Sequence, residues 1–136
     1  MQPQSEDTSP RPIATAVVVA GILLSWLGFF VHNVADLPGQ TILSPESAIP
    51  TLVYLGLLVL WFTPARRVAA WALLVWALLH LIGGAVLSVL PLPILPFAPD
   101  QSPRHYLFHG AYGVLQLPLI VALVFWVRAQ ARPTVD

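Results

Sequence analysis

Long apolar runs separated by short polar breaks make up most of this chain. A helix that crosses a bilayer needs roughly 20 apolar residues, with about 17 as the lower limit. Three runs, 13–34, 68–90 and 105–127, meet this length. A fourth apolar run, 49–62, reaches it only when its neighbours are included, which extends the helix to 47–63. The pattern predicts an all-α integral membrane bundle of four transmembrane helices.

The arginines support four spans over three and give an orientation. Cytoplasmic flanks of membrane helices collect Arg and Lys. With four spans, one side of the membrane receives five of the six arginines, namely Arg11, Arg66, Arg67, Arg128 and Arg132. Arg104 alone falls on the other side. We therefore expect both termini in the cytoplasm, in the plasma membrane of a bacterium, with residues 1–12 as a disordered tail and 128–136 as a second tail.

Composition narrows the function classes. Apolar residues make up 57% of the chain and charged residues 9%, against about 25% charged in a soluble domain. The absence of cysteine excludes disulfides, thiolate metal sites and cysteine nucleophiles. A formal net charge of zero argues against a nucleic-acid partner. The expected partners are the lipid bilayer and either a membrane protein or further copies of this chain.

Small and polar residues recur at helical spacing in three of the predicted helices. Helix contacts in lipid favour small residues and occasional interhelical hydrogen bonds. The stripes are Gly21, Ser25, Gly28 and His32 in the first helix, Ala77, His80, Gly84 and Ser88 in the third, and His105, His109, Gly113 and Gln116 in the fourth. We expect the glycines and serines of these stripes to be helix-packing positions. Each stripe also carries a histidine.

The histidines differ in their expected depth. His80 falls near the middle of its span, where an ionisable side chain indicates a functional site by default. It could instead be a neutral packing residue bonded to Gln116 or Tyr112. His32 and His105 lie at helix ends, where an interfacial role is the plainest interpretation. His109 lies one turn deeper than His105.

Two ligand hypotheses follow from these positions. His32, His105 and His109 could share a metal ion, because histidines four apart face the same way, and His80 with His109 could hold a haem b. Alternatively, a polar ladder could handle protons or quinone. Its members, also the candidate cofactor-binding residues, are His80, His109, Tyr112 and Gln116.

No complete catalytic set is present, since the sequence has no nucleophile elbow, phosphate loop or paired carboxylates in its spans. The chain is therefore not expected to be an enzyme. The leading hypothesis is an accessory or scaffolding subunit of a larger membrane complex. The alternative is a redox-associated or proton- or quinone-handling subunit with a histidine site, for haem b or a metal, in the outer half of the bundle. The proline-rich segment 91–103 is expected at the outer interface or over the bundle mouth.

Overall fold

The computed structural model describes residues 12–131, and within them the chain is all-helical. The all-α prediction is confirmed. The helices are α1, Pro12–Asp36; α2, Pro45–Trp61; α3, Arg66–Leu79; and α4, Pro103–Gln130. α3 continues directly into a π-helical segment, His80–Leu87. When the π segment is counted with α3, each end lies within one helical turn of the expected bound. The two predicted tails lie outside the described residues, apart from Pro12 and residues 128–131.

Three helices are long and apolar enough to cross a membrane. They are α1 with 25 residues, α3 together with its π segment with 22, and α4 with 28. α2 is a shorter apolar helix of 17 residues. Many large apolar side chains of these helices point away from the bundle and are exposed, such as Leu52 on α2 and Phe125 on α4. Apolar helices with apolar outer faces are compatible with a lipid bilayer.

α1 and α4 form the central pair of the bundle, and glycines set how closely they approach. A Cβ added at Gly21 would lie 2.9 Å from the Leu119 Cα, and one at Gly28 would lie 2.8 Å from the Leu115 Cβ. Either would push the helices apart. α2 packs on α1 and α3 at the side of this pair. Small residues at the contact are what lipid-embedded helices require.

α4 begins two residues before the apolar run that predicted it. Pro103 occupies the first helical turn, where its fixed φ is suitable and its missing N–H is not needed. The Ser102 hydroxyl accepts from the His105 N–H at 3.3 Å. It also donates to the Asp100 carboxylate, and this hydrogen bond lowers the pKa of Asp100. The cap therefore fixes where the first turn of α4 starts.

The π segment ends α3 earlier than the apolar pattern predicts. Its wider turn is seen in the hydrogen bond from the Ser88 N–H to the Gly83 carbonyl, at 3.1 Å. After it, the proline-rich segment runs without regular structure, and its Ile94 and Phe97 side chains are 82% and 53% exposed. Whether this segment lies at a membrane interface stays a prediction.

Candidate metal centre

Four ionisable side chains meet at the end of the bundle where α1 stops and α4 starts. His32 and Asp36 are four residues apart on α1, and His105 and His109 are four apart on α4, so each pair shares a helix face. Because the two helices run in opposite directions, their pairs face one another. We call His32, Asp36, His105 and His109 the histidine cluster.

The cluster is centred on one oxygen of Asp36. From its Oδ2 atom, His105 Nδ1 lies at 3.0 Å, His32 Nε2 at 3.3 Å and His109 Nε2 at 4.0 Å. The Nε2 atoms of His32 and His109 are hydrogen-bonded at 2.8 Å, so one of them carries a proton that a bound cation would replace. His32, Asp36 and His109 each offer one ligand atom, and these atoms all lie within 4.8 Å of one another. That grouping matches the size of a metal coordination shell.

The Oδ2 atom of Asp36 is buried and has no hydrogen-bond partner within the described chain. The imidazole nitrogens are near enough in distance, yet none is placed to make a hydrogen bond to it. His105 Nε2 is in the same state. A buried carboxylate without a partner is costly, because it has lost its water and gained nothing in return. The cluster is thus incomplete as a set of hydrogen bonds.

The other carboxylate oxygen faces a cation at the rim. Arg104 Nη1 lies 4.0 Å from Asp36 Oδ1, and Arg104 Nη2 donates to the Ala35 carbonyl at 2.8 Å. The Arg104 side chain is 65% exposed whereas that of Asp36 is 7% exposed. This weak, solvent-facing contact involves Oδ1, whereas Oδ2 is the oxygen that lies near the histidines.

His109 is held with a defined nitrogen towards the cluster. Its Nδ1 lies 3.1 Å from the backbone carbonyl of Ala85. A carbonyl can only accept, so Nδ1 carries the proton and Nε2 of the neutral ring carries a lone pair. Ala85 lies in the last turn of the π segment, where carbonyls run out of intrahelical donors. The end of one helix therefore fixes the ligand nitrogen of another.

Towards the centre of the bundle, His80 is paired with Tyr112. The Tyr112 hydroxyl and His80 Nδ1 are hydrogen-bonded. The rings of Trp76, Phe29 and Tyr54 also surround His80, with centroids at 4.7, 5.2 and 5.5 Å. His80 is 9% exposed and packed among these rings, so a porphyrin iron could reach its Nε2 only if the rings moved, and the arrangement does not favour His80 and His109 as a haem pair.

Gln116 belongs to a separate set, which we call the central network: Ser25, Tyr54 and Gln116. The Ser25 hydroxyl donates to Gln116 Oε1, and it lies 2.7 Å from the Tyr54 hydroxyl. Gln116 Nε2 donates to the Ser25 carbonyl at 3.0 Å. Of the two bonds considered for His80, the structure contains the one to Tyr112. The expected ladder is therefore divided, because the Gln116 side chain bonds to Ser25 of α1 and to the Tyr112 backbone carbonyl of its own helix, and not to His80.

The structure assigns more weight to two residues than the sequence did. Asp36 was not among the predicted metal ligands, although its spacing of four from His32 was a usable signal. Asn33, which contacts His32, had no signal beyond its position at the end of a span.

No protein-family model, curated protein or solved structure matches this chain. The site therefore stands on its own geometry.

Proposed function

We propose that this is a membrane-embedded metal-binding protein that holds a divalent transition-metal ion in the histidine cluster. The observation that carries the proposal is the buried Asp36 Oδ2 atom, which has three imidazole nitrogens within 4.0 Å and accepts a hydrogen bond from none of them. A cation placed among these atoms would satisfy the carboxylate and the lone pair of His109 together.

The spacing of the ligand atoms supports this occupant. Zinc binds histidine nitrogen and carboxylate oxygen at about 2.0–2.2 Å, which places neighbouring tetrahedral ligands about 3.3 Å apart. The separations of His32, His109 and Asp36 ligand atoms are 2.8, 3.3 and 4.0 Å, which bracket that value. Side-chain shifts of less than an ångström would bring the three into a coordination shell.

We assign His105 as the fourth ligand. Its Nδ1 lies 3.0 Å from Asp36 Oδ2, and its ring centroid lies 4.4 Å from that of His109. Three imidazoles and one carboxylate suit zinc and its transition-metal neighbours, whereas calcium and magnesium prefer oxygen ligands throughout. The proposal is therefore for zinc or a similar ion.

The surroundings support a resident ion over a transported one. On the side away from the loops, the cluster meets the Tyr112 ring, whose centroid is 5.1 Å from that of His32. Beyond it, the hydroxyl of Tyr112 is bonded to His80, and the central network is bonded within itself. Among the described residues, an ion leaving the site would meet no open row of ligands.

We further propose that the termini are cytoplasmic and that the site lies at the opposite membrane face. Arg66 and Arg67 begin α3 and Arg128 lies in the last turn of α4, so these arginines lie at the end of the bundle away from the histidine cluster. The positive-inside rule supports that orientation. The accessory-subunit role stays a prediction, since no contact within the described chain favours it.

Metal counting on purified protein tests the proposal. The protein in detergent is stripped with a chelator, equilibrated with zinc, desalted and analysed for zinc per chain. We expect one zinc in the wild type, a large loss in His109→Ala, and wild-type content in His80→Ala, which removes a buried histidine outside the cluster. A wild type without zinc would overturn the proposal, as would His109→Ala retaining zinc at wild-type affinity.

A further inference from the structure

We infer that Asn33 is a positioning residue for the metal site: in the metal-bound state it holds His32 with Nδ1 protonated, so that Nε2, on giving up the proton it shares with His109, binds the ion. The inference rests on the proposed function. Asn33 is 7% exposed and lies on α1 directly after His32. It is not itself a ligand, because its amide faces His32 Nδ1 on the side of the ring away from the cluster.

The direction of the Asn33 amide is fixed by α2. Its Nδ2 donates to the Glu46 backbone carbonyl at 3.2 Å and to the Ser47 hydroxyl at 3.3 Å. Since a backbone carbonyl only accepts, the NH₂ group must face Glu46. The amide oxygen must then face His32, where it lies 3.3 Å from Nδ1. A flipped amide would place two acceptors against each other.

Ser47 itself is held, which keeps the amide from moving. Its side chain has no exposed surface, and its hydroxyl donates to Gln40 Oε1 at 3.0 Å. The loop between α1 and α2 and the first turn of α2 therefore form a rigid backing for Asn33. In this way Asn33, which does not contact the ion, would set the tautomer of His32, which does.

The same device appears on the other helix. His109 also directs Nε2 into the cluster because its Nδ1 is bonded to an acceptor, the Ala85 carbonyl. His32 and His109, on two different helices, are thus each oriented by an acceptor at Nδ1. For His32 it is the Asn33 amide oxygen, which α2 holds in place, and for His109 it is the Ala85 carbonyl of the π segment. Partners of this kind fix the tautomer and ring direction of metal-bound histidine, and removing one costs about 10–100-fold in metal affinity.

Zinc titration of three variants tests the inference. Asn33→Leu removes the acceptor, and we expect zinc affinity to fall about 10–100-fold. Asn33→Asp keeps an oxygen towards His32 but loses both donated bonds and sets its second oxygen against the Glu46 carbonyl, so we expect an affinity between those of Asn33→Leu and the wild type. Ser47→Ala removes one donated bond only, and we expect affinity within about threefold of the wild type. A merely structural role of Asn33 would weaken binding in Asn33→Asp as much as in Asn33→Leu.

A measurement on the wild type tests the same inference without a substitution. With ¹⁵N-labelled histidine in the zinc-loaded protein, we expect His32 to bind zinc through Nε2 and to show a protonated Nδ1 that exchanges slowly with water. Zinc on Nδ1 of His32, or Asn33→Leu folded and at wild-type affinity, would overturn the inference and leave the metal site standing. A wild type that binds no zinc removes the proposed function and the inference with it.

Discussion

The bundle holds two groups of polar side chains along the interface of α1 and α4, and they differ in whether their atoms have partners. In the central network, the hydroxyls of Ser25 and Tyr54 and the amide of Gln116 are bonded to one another. In the histidine cluster, Asp36 Oδ2 and His105 Nε2 are buried and have no hydrogen bond within the described chain. We call the central network the closed group, because its polar atoms have partners, and the histidine cluster the open group, because two of its buried atoms have none.

The difference shows that the depth of a polar side chain along the bundle is a poor guide to whether it has a function. A polar side chain deep in lipid is costly only when it lacks a partner, and a paired one acts as a contact between helices. His80 has such a partner in Tyr112. The histidines at the helix ends, which an interfacial role would explain, surround Asp36 Oδ2, a buried carboxylate oxygen with no hydrogen bond within the described chain. The open group is therefore the better candidate for a ligand site.

Removing the charge at the centre of the open group should have the largest effect. Asp36→Asn keeps the shape of the side chain and replaces its charged ligand oxygen with a neutral amide. We expect zinc affinity to fall by about 100-fold or more, because the loss of a ligand should exceed the 10–100-fold that outer partners cost. Isothermal titration of chelator-stripped protein measures it.

Asp100→Asn is the matched control for that experiment. Asp100 is an exposed acid in the segment before α4, outside the histidine cluster. We expect its zinc affinity to equal that of the wild type. Equal losses in Asp36→Asn and Asp100→Asn would mean that zinc is attracted by general surface charge, and the contrast between open and closed groups would lose its meaning.

The sequence predicts the helices well because their signal is local. Apolar runs of spanning length gave the ends of α1 and α4 to within one turn. The spacing of four between His105 and His109 placed them on one face, and helix periodicity alone is enough for that. What periodicity does not contain is the rotation of one helix against another, and this decides which partner a side chain finds.

The hydrogen-bond partners of Asn33 and Gln116 are contacts that the sequence does not predict. Asn33 reaches the first turn of α2 across the loop, and Gln116 reaches Ser25 on α1, and both contacts depend on helix rotation. The sequence does not predict the π segment either, because a π turn leaves the apolar pattern unchanged. Its effect is seen only in the structure, where the Ala85 carbonyl contacts His109. The histidine cluster could be guessed as a set of residues, but not as a set with one unpaired oxygen.

Disturbing the His80–Tyr112 pair, whose hydrogen-bonded atoms also have partners, should lower stability and leave zinc binding in place. A Cβ at Gly84 would lie 2.5 Å from the Tyr112 hydroxyl, so Gly84→Ala must move the tyrosine away from His80. We expect a loss of about 1–3 kcal/mol in the free energy of unfolding, as for overpacked cores. Gly83→Ala is the control, since its Cβ would meet nothing within 4 Å. Thermal unfolding followed by tryptophan fluorescence measures both, and equal stabilities would show that Tyr112 is loosely held.

The smallest effect should come from Ser25→Ala, which removes the hydroxyl that joins two helices to α1. Tyr54 and Gln116 Oε1 each lose a partner, while the bond from Gln116 Nε2 to the Ser25 carbonyl remains. Interhelical hydrogen bonds in membranes contribute about 0.6 kcal/mol on average and about 1.7 at most. We expect a loss in that range with zinc affinity unchanged, measured by unfolding and by zinc titration of the same sample. A variant that keeps its stability but loses zinc would place Ser25 in the binding site, and the two polar groups would then act as one.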